Sequence, residues 1–466
     1  MSRWLFAGLF CLAVSGCAVG PDYERPDIPV PTEFRGTAAE AASVADAGWW
    51  TLIEDPVLDA LVREAIANNL DLAVATERIA EARARYRIVR ADLIPEVGAS
   101  GGQTSQRNSV LTDPARPGFD RASNNYDASV AVSWEIDLFG GNRRRSESAF
   151  ASYLATEHGQ RATLVTLVGD VASAYVTLRA LDLQLEIARE TVKANEEMVD
   201  YYRKRLAGGL SNRLEVDTAI ANKARTAILV PQFEQQIAST ENALSFLLGR
   251  VPGDIDRGAA IETFRRQPAV PPGLPAALLE RRPDVLAAEQ QLVAANADVG
   301  AARALFFPSL SVSGVLGAAS GDAGDLFDEG TETSQLRTSV LAPIFQGGRL
   351  RANQAVAESR LEQAVLRYRA TALNAYREVA DAVVAVDKLG VVRTELQTGV
   401  DALEDASTLA RARYQEGLSS YLEILNTDQQ LLDQRLRLAS TRGDELRSLV
   451  ALYRALGGGW QEPGTP

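Results

Sequence analysis

The sequence predicts an α+β membrane protein: two tandem copies of one unit, each holding a pair of β-strands and a pair of long coiled-coil α-helices. Three observations lead there. The chain matches itself in three places at offsets between 206 and 213 residues, the mark of an internal duplication. Short stretches in both copies alternate apolar and polar residues, the period of a strand with two unlike faces. Longer stretches place apolar residues at alternating spacings of three and four, the seam of a coiled coil.

At the N-terminus, Arg3, an apolar run from Trp4 to Val14 and then Val14-Ser15-Gly16-Cys17 have the layout of an export signal. The run is shorter than the ~20 residues of a membrane-spanning helix. Its end resembles a bacterial lipobox. That resemblance implies cleavage before Cys17 and acylation of Cys17 by several chains, above the roughly two-chain threshold for stable anchoring. Ala18, not Asp, follows the cysteine, which in signals of this kind directs a lipoprotein to the outer membrane. No other apolar run of comparable length is expected. Residues 1–16 are the expected signal peptide and 17–70 an N-terminal arm.

The two repeats occupy 71–250 and 281–457, joined by a connector at 251–280 and followed by a tail at 458–466. Asn69–Val97 aligns with Arg282–Leu310 at an offset of 213, bringing Asp71, Pro95 and Val97 onto Asp284, Pro308 and Leu310. Phe139-Gly140-Gly141-Asn142-Arg143 aligns with Phe345-Gln346-Gly347-Gly348-Arg349 at 206. Gly209-Leu210-Ser211 and Leu214-Glu215-Val216 align with Gly417-Leu418-Ser419 and Leu422-Glu423-Ile424 at 208.

Pro95 and Pro308 stop the first helix of each repeat, since proline lacks the amide donor and clashes with the preceding turn. Strands are expected at about 96–108, 126–139, 308–320 and 333–345. In the second, Ala128, Val130, Val132, Trp134, Ile136 and Leu138 share a face opposed by Ser129, Ala131, Ser133, Glu135 and Asp137. Segments 109–125 and 321–333, rich in Asp, Gly, Asn and Pro, read as exposed loops. Long helices follow at about 141–207, 212–248, 348–416 and 420–456. The first carries a seam from Leu164 through Val171, Leu178 and Leu185 to Val192, the third one from Leu361 through Tyr368, Ala375 and Ala382 to Val386. Sixty-odd helical residues at ~1.5 Å each reach about 100 Å, far more than a compact domain needs.

Four strands cannot close a membrane barrel alone, because single-chain barrels need about eight and open edges are not tolerated in lipid. Two chains would supply eight and three would supply twelve. Periodicity leaves that number open, and leaves open a soluble sheet with one wet face.

Composition removes other classes. With 48 basic and 61 acidic residues the formal charge is -13, which excludes a nucleic-acid partner drawn by basic patches. There is one histidine, and Cys11 and Cys17 leave the rest of the chain no disulfide or zinc framework. His158 reads as a surface helix residue. No Walker loop, Gly-x-Ser-x-Gly elbow or zinc-binding histidine pair occurs. The expectation is no catalytic residue, no cofactor and no metal site, with energy supplied by partners.

Taken together, Cys17-Ala18-Val19-Gly20-Pro21-Asp22-Tyr23, the Trp49-Trp50 pair, Arg281-Arg282-Pro283-Asp284, the Phe-Gln-Gly-Gly-Arg strand exit and both helix-turn motifs resemble the outer membrane factor family typified by TolC and OprM, in its lipoprotein, NodT-type branch. The resemblance spans nearly the whole chain. It implies a homotrimer, with a twelve-stranded barrel among outer-membrane lipids, a periplasmic α-helical barrel, and an equatorial belt built from the arm, the connector and the C-terminal tail. The implied role is the exit duct of a tripartite efflux pump. Its partners would be a periplasmic adaptor and an inner-membrane transporter of the resistance-nodulation-division type. The same architecture serves type I protein secretion, and a lipid-anchored scaffold without a pore is the reading from another class.

The resemblance also assigns residues. Gly209, Leu210, Ser211 and Gly417, Leu418, Ser419 would be the tips that meet the adaptor, glycine allowing the reversal and serine capping the next helix. Glu215, Tyr414, Glu423, Asn426 and Asp428 would form the periplasmic gate, with Asp217 nearby. Repeated about an axis, the acids would make a cation-favouring ring. Tyr414 matches a tyrosine that pairs with an acid on a neighbouring helix, here Glu215. Asn426 departs from the family's usual aspartate and weakens the ring.

Overall fold

A computed structural model describes residues 18–29, 49–107, 122–264 and 278–458. Cys17, the signal segment and the tail from 459 lie outside the described residues. The helices are α1 (Pro56–Asn68), α2 (Leu70–Ala91), α3 (Gly141–Ala207), α4 (Arg213–Ala227), α5 (Leu229–Leu247), α6 (Leu278–Arg281), α7 (Pro283–Ala304), α8 (Arg349–Gln415) and α9 (Tyr421–Ala455). The strands are β1 (Glu96–Arg107), β2 (Ala122–Ile136), β3 (Ser309–Ser320) and β4 (Glu332–Leu341). The described residues form two compact units, one of 18–27, 78–107, 122–156 and 287–368, the other of the remainder; the boundary falls within α2, α3, α7 and α8.

Three element boundaries differ from expectation for identifiable reasons. The helix expected over 212–248 is two, α4 and α5, broken at Ile228. Pro231 is the cause: it cannot donate to the carbonyl of Ala227, and its ring crowds that carbonyl. Strand β2 starts at Ala122, so Asn124 and Asn125 lie in the ladder with β1 and not in a loop. Strand β4 ends at Leu341, two residues before Pro343, which cannot continue the ladder.

In the sheet unit the strands are antiparallel in the order β1-β2-β3-β4, leaving β1 and β4 as edges. Register places like residues side by side. Val97 faces Val132, Val132 faces Gly314 and Gly314 faces Leu336; Trp134 faces Val312; Ile136 faces Leu310, which faces Val340. All therefore share one face. The other face carries Glu96, Ser133, Ser313 and Arg337 across one row, and Glu135, Ser311 and Ser339 across the next. The apolar face is bare: Leu336 is 80% exposed, Leu316 69% and Val340 67%.

The arm from Ala18 to Asp27 belongs to this same sheet unit. Val19 donates its amide to the Phe139 carbonyl at 3.1 Å, and Asn296 Nδ2 donates to the Pro21 carbonyl at 3.1 Å. Arg25 holds Glu289 with two bonds of 2.7 Å, and the Tyr23 hydroxyl adds a third at 3.0 Å. Gly20 crosses α7 where a Cβ would come within 2.5 Å of the Gly300 Cα, so both crossing residues must be small.

The helical unit holds a core of α1, α3, α8 and α9 side chains around Trp49, Tyr175, Val379 and Tyr453. Trp49 stacks on Tyr453 with ring centroids 5.3 Å apart. Asp55 caps α1 by accepting from the amides of Val57 and Leu58, and its other oxygen accepts from the Tyr175 hydroxyl at 2.8 Å and the Ala259 amide at 3.2 Å. Desolvation pushes the Tyr175 phenol well up, and the Asp55 carboxylate adds to the rise. The Arg282 guanidinium is buried; it meets Asp284 at 2.7 Å and Glu378 at 2.8 Å and donates to the Ala455 carbonyl in the last turn of α9. One stretch of α3 is apolar and long enough to cross a membrane, contrary to the sequence reading, but 61% of it is buried in the fold and forms core. His158, expected at the surface, is half-buried on α3.

Candidate functional site

Both hairpin tips end their first helix in the same way. After α3, Gly209 takes φ +71°, its amide donates to the Leu206 carbonyl at 3.0 Å and that of Leu210 donates to the Arg205 carbonyl at 2.8 Å. After α8, Gly417 takes φ +75°, with Gly417 donating to Tyr414 at 3.0 Å and Leu418 to Arg413 at 2.8 Å. This is the Schellman closure, and it needs a left-handed residue after the cap. No atom lies within 4 Å of where a Cβ would sit on either glycine, so backbone conformation alone requires them. The closure throws Leu210 and Leu418 outward, each 70% exposed.

The serines do not cap as expected. At the first tip Asn212 does so, its Oδ1 accepting from the Glu215 amide at 3.0 Å, while Ser211 Oγ donates to the Glu215 carboxylate. At the second tip Ser420 is the cap residue without a side-chain bond, and the Glu423 amide donates to its carbonyl at 3.1 Å. Serine loses to Asn212 because the turn is one residue longer than a Ser211 cap would need.

Beneath the tips, α3, α4, α8 and α9 converge on a small core of Val199, Tyr202, Val216, Ala219, Ala410, Tyr421 and Ile424, with Tyr414 packed against it. Tyr202 meets Tyr421 at 4.5 Å and Tyr414 at 5.9 Å between centroids. Burial raises the phenols of Tyr202 and Tyr414, and pushes Tyr421 up to about 12, with the nearby Asp428 charge adding to the last. Arg205 lies over the Tyr414 ring at 5.4 Å, and donates to the Tyr201 hydroxyl and the Leu210 carbonyl, each at 3.0 Å.

Among the described residues no hydrogen bond joins Tyr414 to Glu215 within the chain, although the Glu215 charge is close enough to raise the tyrosine. Glu423 pairs with Arg413 across the turn at 3.4 Å. Asp428 is tied across the hairpin to Arg411 at 2.8 Å and to Ser407 at 2.6 Å. Asp217 pairs with Arg213 one turn away at 3.4 Å. Asn426 is exposed. The acids singled out by sequence thus lie at or just beneath the two tips, each with a cation or hydroxyl partner in its own chain. Sequence reasoning missed Tyr201, Tyr202, Tyr421, Arg205, Arg411 and Arg413; the duplication could have flagged the arginines, since Arg205 and Arg413 occupy matching positions. The described residues contain no group of His, Cys, Asp and Glu able to hold a metal ion.

Comparison with known proteins agrees with this architecture. The sequence profile described as "Outer membrane efflux protein" matches residues 61–250 and 274–458, in two blocks that follow the duplication. The "Cation efflux system protein CusC" of Escherichia coli (strain K12) is 35% identical over 457 residues, covering 97% of this chain and 98% of that protein. The "Probable efflux pump outer membrane protein TtgC" of Pseudomonas putida is 35% identical over 457 residues, covering 96% of this chain and 94% of its own length. The solved structure of the outer-membrane channel OprN superposes with a TM-score of 0.88 at 31% identity, covering 96% of this chain and 100% of that one. Paired repeats, a sheet bare on its apolar face and matched hairpin tips, with these similarities along nearly the full length, make the chain a member of the outer membrane efflux protein family.

Proposed function

We propose that the chain is the outer-membrane exit duct of a tripartite efflux pump. Three copies close their sheets into a twelve-stranded barrel, and their helices form the periplasmic tunnel. A periplasmic adaptor docks on the tips Gly209 to Ser211 and Gly417 to Ser419, and an inner-membrane transporter of the resistance-nodulation-division type supplies energy. The duct itself performs no catalysis and needs no cofactor; solutes pass along a water-filled path. The names of the relatives favour efflux of cations or organic solvents over protein secretion.

The observation that carries this reading is the sheet. A four-stranded sheet with two open edges and bare leucines and valines on one face is unstable in water, where such a surface invites aggregation. In a bilayer the same face is matched to its solvent, and the edges must then be paired by other copies. The arm's attachment to Phe139 through Val19, two residues after Cys17, supports acylated Cys17 as an anchor at that end of the sheet. Glu215, Tyr414, Glu423 and Asn426 form the gate, and Asp428, held by Arg411, braces the hairpin behind it. Because Cys11 and Cys17 are the only cysteines, introduced pairs report cleanly. Cysteines scanned in pairs along β1 and β4 should crosslink between copies and give a ladder ending at three chains. A ladder ending at two, or none along any register, would rule out the twelve-stranded closure.

A further inference from the structure

The two tips share a backbone and differ in charge. Positions 203–213 correspond to 411–421 through the duplication. The first stretch holds Arg203, Lys204, Arg205 and Arg213 with no acid; in the second, Ala412 stands in the place of Lys204, Tyr421 in that of Arg213, and Glu416 is added. The second tip's arginines are occupied within the chain, Arg411 by Asp428 and Arg413 by Glu423. Among the described residues, no acid reaches the first tip's arginines from across its turn. Arg205 has only neutral acceptors, and Lys204 is exposed. Arg203 and Arg213 meet Asp200 and Asp217 at 3.6 and 3.4 Å on their own helices, exposed pairs weak enough to exchange for a partner.

Local helix electrostatics do not account for the excess. Cations at 203–205 suit the negative end of α3, but α8 ends with the same dipole and fewer of them. Arg213 opens α4, where the dipole disfavours a cation, and its side chain is 88% exposed. Leu210 and Leu214, 70% and 74% exposed, stand beside these charges. The whole chain carries -13, so a cationic end runs against its background.

We propose that the first tip docks an acidic segment of the periplasmic adaptor, with Leu210 and Leu214 as the apolar centre and Lys204 and Arg213 as the charge contacts, whereas the second tip docks through Leu418 without that charge requirement. This rests on the duct reading above. The test uses full-length protein in lipid nanodiscs and two synthetic helical-hairpin peptides, one with Glu-Leu-Glu in its loop and one with Lys-Leu-Lys. At low salt the acidic peptide should associate about tenfold faster, and the advantage should fade near 1 M salt, where screening acts within ~3 Å. Lys204→Glu combined with Arg213→Gln should remove the advantage, and Ala412→Glu should leave it within about twofold. Equal association of both peptides, or equal loss with Ala412→Glu, overturns the proposal. Channel conductance of the same samples separates the two readings: if it persists while the peptides bind equally, docking chemistry alone is wrong, and if the unaltered protein does not conduct, the duct reading falls.

Discussion

The sheet unit and the helical unit place their large apolar residues in opposite ways. In the helical unit the biggest side chains are buried: Trp49 is 1% exposed, and Tyr175 and Tyr202 are fully covered. Two buried charged groups there are satisfied within the chain, Asp55 by Tyr175 and two helix amides, Arg282 by two acids and a carbonyl. In the sheet the leucines and valines point outward, while serines, Glu96, Glu135 and Arg337 occupy the other face. A water-soluble sheet reverses this, hiding its apolar side. The difference teaches that the two units have different solvents, and substitutions in each should answer to different rules.

The largest effect is expected in the helical unit. Arg282→Met takes the buried guanidinium from the partly exposed Asp284 and Glu378 and frees the Ala455 carbonyl; it should cost about 3–4 kcal/mol, read as a lower denaturant midpoint. Next is the sheet. Leu336→Arg should destabilise the lipid-inserted protein by about 2–4 kcal/mol, while Ser339→Arg on the opposite face should change little, measured by unfolding in bilayers. Were the apolar face wetted by water, both would lie within about 0.5 kcal/mol of zero. Asp55→Ala, which removes a cap and a phenol acceptor together, should lower stability by about 2 kcal/mol.

Much of this contrast was legible in the sequence. Alternation in β2 foretold which of its residues share the apolar face, and the duplication foretold matched turns at Gly209 and Gly417. What escaped was side-chain pairing across separated segments. Asp428 is 17 residues from Arg411 and Trp49 is some four hundred from Tyr453, and neither spacing carries a periodic signal. The Pro231 break was hidden because the apolar pattern continues through it on both sides. The serine caps failed because Ser211 and Asn212 are both good cap residues, and only backbone geometry decides between them.

Smaller effects sharpen the likeness of the two tips. Gly209→Ala and Gly417→Ala should each cost about 1 kcal/mol, and equally, because the left-handed backbone is shared and neither site is crowded; unequal costs in calorimetry would show that the tips are not equivalent in backbone. The tip core should also weaken in alkali. Tyr421 has its folded value raised from 10.0 to about 12, so the folded chain binds more protons than the unfolded one between those values. Stability is then present below pH 10 and lost as pH rises toward 12. Tyr421→Phe should flatten that loss, and an unchanged slope would exclude this phenol as its source.

The central claim, that several copies enclose one continuous path, is tested most directly by single-channel current from the purified protein in a planar bilayer. Discrete, cation-favouring steps are the expected result, enlarged by Tyr414→Phe with Glu423→Ala at the proposed gate. A protein demonstrably inserted in the bilayer that gives no steps, with or without those substitutions, would contradict the account.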